Sequence, residues 1–199
     1  MIIDFHCHIG NSYDGSKQSL QELKKHMKKL GITKSVIFPI DDKNYTREGM
    51  SFKLLDAAKK DGSLLPFFRF DPKKMNAEKL KEILDKGFYG VKLHSRAENF
   101  EPLDKRFFAH YKVIAESGKP LLFHCKSYHL KQTDPLRIVT LAKKFPKLKL
   151  VMAHFACSHP LVFEYVKKNK LKNVWFETSV TATQYYISTT GKKLGFNRI

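Results

Sequence analysis

The chain has 199 residues, a formal net charge of +18 and 42% hydrophobic residues. This length suits one folded domain near the lower limit for an α/β barrel, so we expect a single domain over residues 1–199. No apolar run is long enough to cross a bilayer and no signal-peptide pattern precedes the first strand, which argues against a membrane protein.

Short apolar segments alternate with amphipathic segments along the chain, and each pair has about the length of one strand–helix unit. The apolar segments predict seven strands, and the amphipathic segments between them predict six helices. The predicted strands are 2–8, 35–40, 64–70, 90–94, 120–125, 149–155 and 173–179, and the predicted helices are 19–30, 49–60, 77–86, 104–117, 135–145 and 161–168.

Parallel strand–helix repetition gives either an open doubly wound sheet or a closed barrel. The turn after the first strand, His8-Ile9-Gly10-Asn11, is not the glycine-rich turn typical of an open nucleotide-binding sheet. We therefore predict an α/β, TIM-like barrel with seven strands present. A further helix is predicted at 184–193, and 194–199 looks like the approach to an eighth strand, which we expect to be missing or cut short.

The first predicted strand ends in the segment Asp4-Phe5-His6-Cys7-His8. Side chains alternate along a strand, so His6 and His8 lie on one face and Cys7 on the other. Two imidazoles side by side at a strand end make half of a divalent-metal site, with zinc as the expected ion. The alternative is that two histidines near a terminus are incidental, and so short a pattern does not decide between the two.

Two later predicted strands also carry a histidine near their carboxyl ends. His124 follows the apolar run that starts at Pro120, and His154 follows the run that starts at Lys149. One such histidine could be a satisfied core residue, but active sites of α/β barrels lie at the carboxyl ends of the strands. The four histidines that we expect to converge there are His6, His8, His124 and His154.

The three cysteines, Cys7, Cys125 and Cys157, are odd in number and lack paired spacing, which predicts a reducing, cytoplasmic setting. Cys7 and Cys125 neighbour proposed ligands, but alternation turns them to the opposite face, so we interpret them as small buried hydrophobic residues. The positive charge comes mainly from lysines spread along predicted helices, and no nucleic-acid-binding motif is present. We expect no specific nucleic-acid partner and no membrane partner.

Taken in order, the strand-end segments resemble the amidohydrolase superfamily over the whole chain. Within it they resemble the amidohydrolase-2 branch, which includes aminocarboxymuconate semialdehyde decarboxylase. Each motif is weak alone, and their order and spacing make the resemblance specific. The motifs are Asp4-Phe5-His6-Cys7-His8, Gly90-Val91-Lys92-Leu93-His94, Pro120-Leu121-Leu122-Phe123-His124, Ala153-His154-Phe155 and Val174-Trp175-Phe176-Glu177-Thr178-Ser179.

The resemblance implies a metal-dependent barrel enzyme in which His6, His8 and His124 bind one divalent ion. It implies that His154 lies beside this ion as a further ligand or as a proton shuttle, and we expect His154 to be the catalytic residue. The family's remaining ligand is an aspartate at the end of strand eight, which the resemblance places beyond residue 199. We therefore expect the activity of these 199 residues to be in question.

Four residues are candidates to bind substrate. Lys92 occupies the place where binuclear relatives carry a carboxylated lysine that bridges two metals, but the branch resembled here favours a single metal. His94 shares a face with Lys92, and it either lines the pocket or stands behind it. Arg69 could bind a substrate carboxylate or pair with Asp71 or a loop acid, and Arg96 is expected to be the more exposed candidate.

The activity implied by the resemblance is hydrolysis of an amide, ester or lactone carbonyl in a small molecule by a metal-activated water. The alternative within the same branch is a metal-dependent, non-oxidative decarboxylase. A second alternative is an inactive fragment or a non-catalytic remnant of such an enzyme. Fold and ligand set do not choose between them, and a homo-oligomer also stays open.

Overall fold

The computed structural model describes residues 1–126 and 130–179. The predicted segments 184–193 and 194–199 lie outside these ranges. Within them, no helix is long and apolar enough to cross a membrane. The strands are β1 (Ile3–Asn11), β2 (Lys17–Gln18), β3 (Lys34–Pro39), β4 (Leu64–Arg69), β5 (Gly90–Leu93), β6 (Pro120–Phe123), β7 (Lys149–Met152) and β8 (Val174–Phe176), and the helices are α1 (Leu20–Leu30), α2 (Arg47–Lys59), α3 (Ala77–Leu84), α4 (Phe108–Glu116), α5 (Pro135–Lys144) and α6 (Pro160–Lys168).

The strands form one sheet in the order β2-β1-β3-β4-β5-β6-β7-β8. All seven predicted strands are present and pair in parallel, in chain order, which confirms the predicted α/β class. The added strand β2 was not predicted, because two residues are too few to give a periodic signal, and it pairs antiparallel with the end of β1. A cavity of about 1000 Å³ is bounded by the start of β1 and by β8.

The helices begin and end where local chemistry directs them to. At the start of α1, the Ser19 side chain accepts a hydrogen bond from Glu22 N–H, and the Glu22 side chain accepts one from Ser19 N–H. The helix ends at Gly31, whose φ of 66° is one that glycine adopts without strain. Asn76 caps the start of α3 and Asp134 caps the start of α5, each by accepting a backbone N–H through a side-chain oxygen as Ser19 does.

One small apolar cluster lies directly beneath the strand ends that carry the histidines. It contains Phe38 of β3, Phe67 of β4 and Leu122 of β6, all at most 2% exposed. The Phe38 ring contacts the rings of His6 and His8, at centroid distances of 5.1 and 4.7 Å. This packing supports the two histidines from below, so their rings are fixed by the core.

Six of the seven predicted strands end earlier than the sequence predicts, and three of these six precede a histidine of the site. The strands β5, β6 and β7 end at Leu93, Phe123 and Met152, so His94 and His124 come directly after their strands and His154 comes one residue later. The apolar pattern continues past the last ladder hydrogen bond because the loop residues are also buried, and burial is what the pattern reports. The histidines therefore stand on loops at the carboxyl edge of the sheet.

Candidate metal centre

Four histidines meet at the carboxyl edge of the parallel strands. Nε2 of His6 lies 3.3 Å from Nε2 of His8, and Nδ1 of His124 lies 3.1 Å from Nε2 of His154. Two imidazole nitrogens that share a tetrahedral zinc ion at 2.0–2.1 Å are about 3.4 Å apart. The rings of His6 and His154 have centroids 4.8 Å apart, which joins the two pairs into one cluster.

The alternation of side chains along β1 sets the geometry of the pair formed by His6 and His8. His6 and His8 face the cluster, while Cys7 points to the other side and is 4% exposed. There Cys7 packs in a hydrophobic group with Leu23 and Met27 of α1. Cys7, Cys125 and Cys157 all carry free thiols, and burial raises the pKa of the first two, which favours their neutral thiol form.

The turn after β7 presents His154 in an unusual backbone conformation. Five consecutive residues without glycine, 154 to 158, have φ values between 48° and 56°, in the left-handed region. Left-handed backbone costs an L-residue about 1–2 kcal/mol, so this turn persists only because surrounding contacts hold it. Two of these contacts reach Glu177, whose Oε1 accepts His154 N–H at 2.8 Å and whose backbone oxygen accepts Phe155 N–H at 2.7 Å.

Glu177 is a residue of the site to which the sequence analysis gave no role. Its Oε1 lies 2.7 Å from Nδ1 of His6, and its Oε2 accepts Ser179 N–H at 2.7 Å. Among the described residues, His6, His154 and Glu177 each offer one ligand atom within 4.8 Å of the others. The available signal was an acidic residue directly after the apolar run of β8.

Burial keeps the histidines neutral, as metal ligation requires. Burial and the charge of Lys92 lower the pKa of His6 to about 4, although Glu177 opposes the shift. The same two causes hold the pKa of His8 well below its ordinary value. Burial would raise the pKa of Glu177, but hydrogen bonds from His6, Ser179 and His154 outweigh it and lower that pKa to about 2.

Lys92 lies fully buried on β5, in the wall of the site. Its Nζ has no hydrogen-bond partner among the described residues and lies 5.0 Å from the centre of the Phe38 ring. Burial, followed by the charge of Arg69, lowers the pKa of Lys92 to about 7. A cationic or readily protonated amine therefore stands beside the histidine cluster.

His94 packs against the cluster from the loop after β5. Its ring stacks on His124 at a centroid distance of 3.6 Å with an angle of 12° between the planes. Ala97 N–H donates to Nδ1 of His94 at 3.3 Å, so the hydrogen of the neutral ring sits on Nε2. Burial, then the charges of Lys92 and Arg69, lower the pKa of His94 to about 2.

Arg69 is 1% exposed and its donor groups are engaged by the protein. Its Nε and Nη2 donate to Oε1 of Glu98 at 3.1 and 2.9 Å, and Nη1 donates to the Pro39 carbonyl at 2.9 Å. Nη2 also lies 3.0 Å from a carboxylate oxygen of Asp41. This arrangement favours pairing with loop acids over substrate binding, whereas Arg96 is exposed just past β5.

The residues present fit a divalent ion. Three of their nitrogens, His8 Nδ1, Lys92 Nζ and His124 Nε2, are buried without a hydrogen-bond partner among residues 1–126 and 130–179. Buried polar atoms without partners are rare in proteins, and these three lie around the two close nitrogen pairs. Neutral imidazoles are the nitrogen ligands that zinc prefers.

The chain is similar to known proteins. A family model described as amidohydrolase matches residues 3–194. No curated protein gave a match.

Solved structures share the fold at low sequence identity. A TIM-barrel protein from Bordetella bronchiseptica is 19% identical, with 89% of this chain and 74% of that chain covered and a TM-score of 0.68. A probable 2-pyrone-4,6-dicarboxylic acid hydrolase from Acinetobacter baumannii is 15% identical, with coverages of 98% and 77% and a TM-score of 0.64. A 5-carboxyvanillate decarboxylase from Novosphingobium aromaticivorans, solved with manganese, is 14% identical, with coverages of 100% and 84% and a TM-score of 0.71.

Proposed function

The chain belongs to the amidohydrolase family, and from this premise we propose that it is a metal-dependent hydrolase. We propose that it cleaves an amide, ester or lactone bond in a small molecule. The proposed cofactor is one zinc ion, held by His6, His8 and His124, with His154 beside it. Three free cysteines suit a reducing compartment, so we place the activity in the cytoplasm.

One observation carries this proposal. Two pairs of histidine nitrogens, 3.3 and 3.1 Å apart, come from β1 and from the loops after β6 and β7 and meet in one cluster. Core packing alone does not require four largely buried imidazoles at the same edge, because polar side chains are costly to bury. A shared ion would be bound by these close nitrogens at the spacing that the structure has.

The chain's own residues divide the remaining work. The chemistry that a bound divalent ion supplies is a lowered pKa of water and polarisation of a carbonyl oxygen. His154 would take up a proton at Nε2, because its Nδ1 lies 2.9 Å from Ser179 Oγ and donates there. Its side chain is 17% exposed, so substrate can reach it.

The proposed substrate side of the site carries basic groups. His94 offers an Nε2 hydrogen, Lys92 places an amine that is cationic or readily protonated in the wall, and Arg96 stands exposed at the rim. Such groups hold an oxygen-rich or anionic substrate. We propose that His94, Lys92 and Arg96 orient the substrate and that Arg69 holds the loop carrying His94, through Glu98.

The second candidate is a non-oxidative decarboxylase. The positive charge around Lys92 favours it, since such a substrate carries a carboxylate that must enter the site. A 5-carboxyvanillate decarboxylase is among the structures that share the fold. In this reaction a protonated group of the site would deliver a proton to carbon as carbon dioxide leaves, and His154 is placed to do so.

The test is a metal titration followed by a substrate screen. Metal-free protein is titrated with zinc and, separately, with manganese, for the wild type and for His6→Ala combined with His8→Ala. We expect one ion per chain in the wild type and no stoichiometric binding in the double variant, because one imidazole pair no longer holds the ion tightly. His26→Ala, an exposed histidine on α1, is the matched control.

Turnover is then measured on amides, esters, lactones and aromatic carboxylates. His154→Ala is expected to keep most of the metal and to lose turnover. Hydrolysis in the metal-loaded wild type supports the first candidate, and release of carbon dioxide supports the second. Full metal occupancy in the double histidine variant would contradict both, and metal binding without turnover on any class would favour a non-catalytic remnant.

A further inference from the structure

We propose that Glu177 is the positioning residue of the metal centre, fixing the hydrogen of His6 and the backbone turn of His154 together. This inference rests on the proposed metal site. Glu177 comes directly after β8, and its carboxylate contacts His6 of one histidine pair and His154 of the other.

The carboxylate of Glu177 contacts the ring of His6. Oε1 of Glu177 lies 2.7 Å from Nδ1 of His6, and a carboxylate can only accept. The hydrogen of the neutral His6 ring must therefore sit on Nδ1, and the lone pair sits on Nε2. That Nε2 is the atom facing His8 at 3.3 Å. Carboxylates that hold the second nitrogen of a metal-binding histidine in this way also raise its basicity.

Glu177 also contacts the left-handed turn that begins at His154. Glu177 accepts His154 N–H through Oε1 and Phe155 N–H through its backbone oxygen, at 2.8 and 2.7 Å. Its own N–H donates to the Met152 carbonyl at 3.2 Å. Three hydrogen bonds from one residue thus surround the point where the backbone enters the left-handed conformation, which is unfavourable for these side chains.

Ser179 extends the same system to the ring of His154. Nδ1 of His154 donates to Ser179 Oγ at 2.9 Å, and Ser179 Oγ donates to Oε1 of Glu177 at 2.8 Å. The hydrogen of the His154 ring is therefore also placed on Nδ1, which leaves Nε2 free to face His124. Both rings turn their Nε2 atoms into the cluster because of one carboxylate.

The contacts also favour positioning over direct ligation by Glu177. Oε1 accepts from His6, from His154 N–H and from Ser179 Oγ, and Oε2 accepts from Ser179 N–H. A metal bond from Oε1 would displace these three donors. Oε1, the oxygen nearest the histidines, is thus already used to hold them.

The experiment begins with the wild type in its metal-free and zinc-loaded forms. Histidine labelled with ¹⁵N reports by long-range proton–nitrogen correlation which ring nitrogen carries hydrogen, and His6→Gln assigns the His6 signal. We expect hydrogen on Nδ1 of His6 in both forms. Hydrogen on Nε2 in the metal-free form, or loss of the Nδ1 hydrogen on zinc binding, would overturn the proposal. The metal-free measurement stands even if no metal binds, so it fails independently of the proposed function.

The second part uses Glu177→Gln, with Glu164→Gln on the exposed face of α6 as the control for loss of one negative charge. We expect zinc and manganese to bind 10- to 100-fold more weakly to Glu177→Gln, the usual effect of removing such a carboxylate. We also expect faster hydrogen exchange at the His154 and Phe155 amides. Affinities within twofold of the wild type would overturn the proposal. If Glu177→Gln does not fold, the wild-type ring hydrogens decide.

Discussion

Replacing Arg69 by Met distinguishes between its two candidate roles, which are binding of a substrate carboxylate and pairing with an acidic residue of the protein. The change removes a guanidinium that is 1% exposed and keeps an apolar side chain of comparable length. Glu98, also 1% exposed, then loses both hydrogen bonds from Arg69 and keeps Arg47 at 3.2 Å and His94 N–H at 2.6 Å. If Arg69 is structural, the protein is destabilised whether or not substrate is present.

The magnitude follows from what remains around Glu98. Removing one partner of a buried ion pair costs about 3–5 kcal/mol, because the other charge stays buried without compensation. Arg47 still neutralises part of that charge, so we expect the lower end, about 3 kcal/mol. Since Arg69→Met leaves Glu98 as the uncompensated charge, adding Glu98→Met should recover much of the loss.

Urea unfolding of the metal-free protein measures this loss as a lower midpoint with an unchanged slope. The control is Arg106→Met, whose exposed pair with Asp104 should contribute little to stability because solvent screens it. A loss below about 1 kcal/mol in Arg69→Met, together with weakened substrate binding, would refute the structural role. It would return Arg69 to the substrate-binding residues.

Two further predictions concern the wall of the site and the sheet beneath it. The pKa of Lys92 is lowered from 10.5 to about 7, so between these pH values the unfolded chain binds more protons and stability rises with pH. Lys92→Met should therefore be more stable than the metal-free wild type at pH 7, by on the order of 3 kcal/mol. Urea unfolding should show this difference in stability shrinking toward pH 10. A difference that does not depend on pH would contradict the prediction. A Cβ on Gly90 would lie 2.5–2.8 Å from the Phe67 ring, so Gly90→Ala should destabilise the protein by about 1–3 kcal/mol in a thermal melt. The control is Gly62→Ala, whose Cβ would meet no atom within 4 Å, and it should cost less than Gly90→Ala.

The sequence by itself determined the alternation of parallel strands with helices and the edge at which the chemistry lies. Apolar runs separated by capped amphipathic helices fix parallel pairing, because each helix must return the chain to the same end of the sheet. Alternation along β1 places His6 and His8 together and Cys7 under α1, and this needs no knowledge of distant residues. These features depend on neighbours in the chain, so a local pattern records them.

What only the tertiary structure decided are contacts between residues far apart in sequence. His6 and Glu177 are separated by 171 positions, and they meet because the sheet brings the ends of β1 and β8 together. Arg69 and Glu98 are 29 positions apart, and the sequence offered Asp71 and unnamed loop acids equally as partners. The left-handed turn at His154 could not be predicted from the sequence either, because its residues have ordinary right-handed or extended preferences, and distant contacts such as those with Glu177 override them.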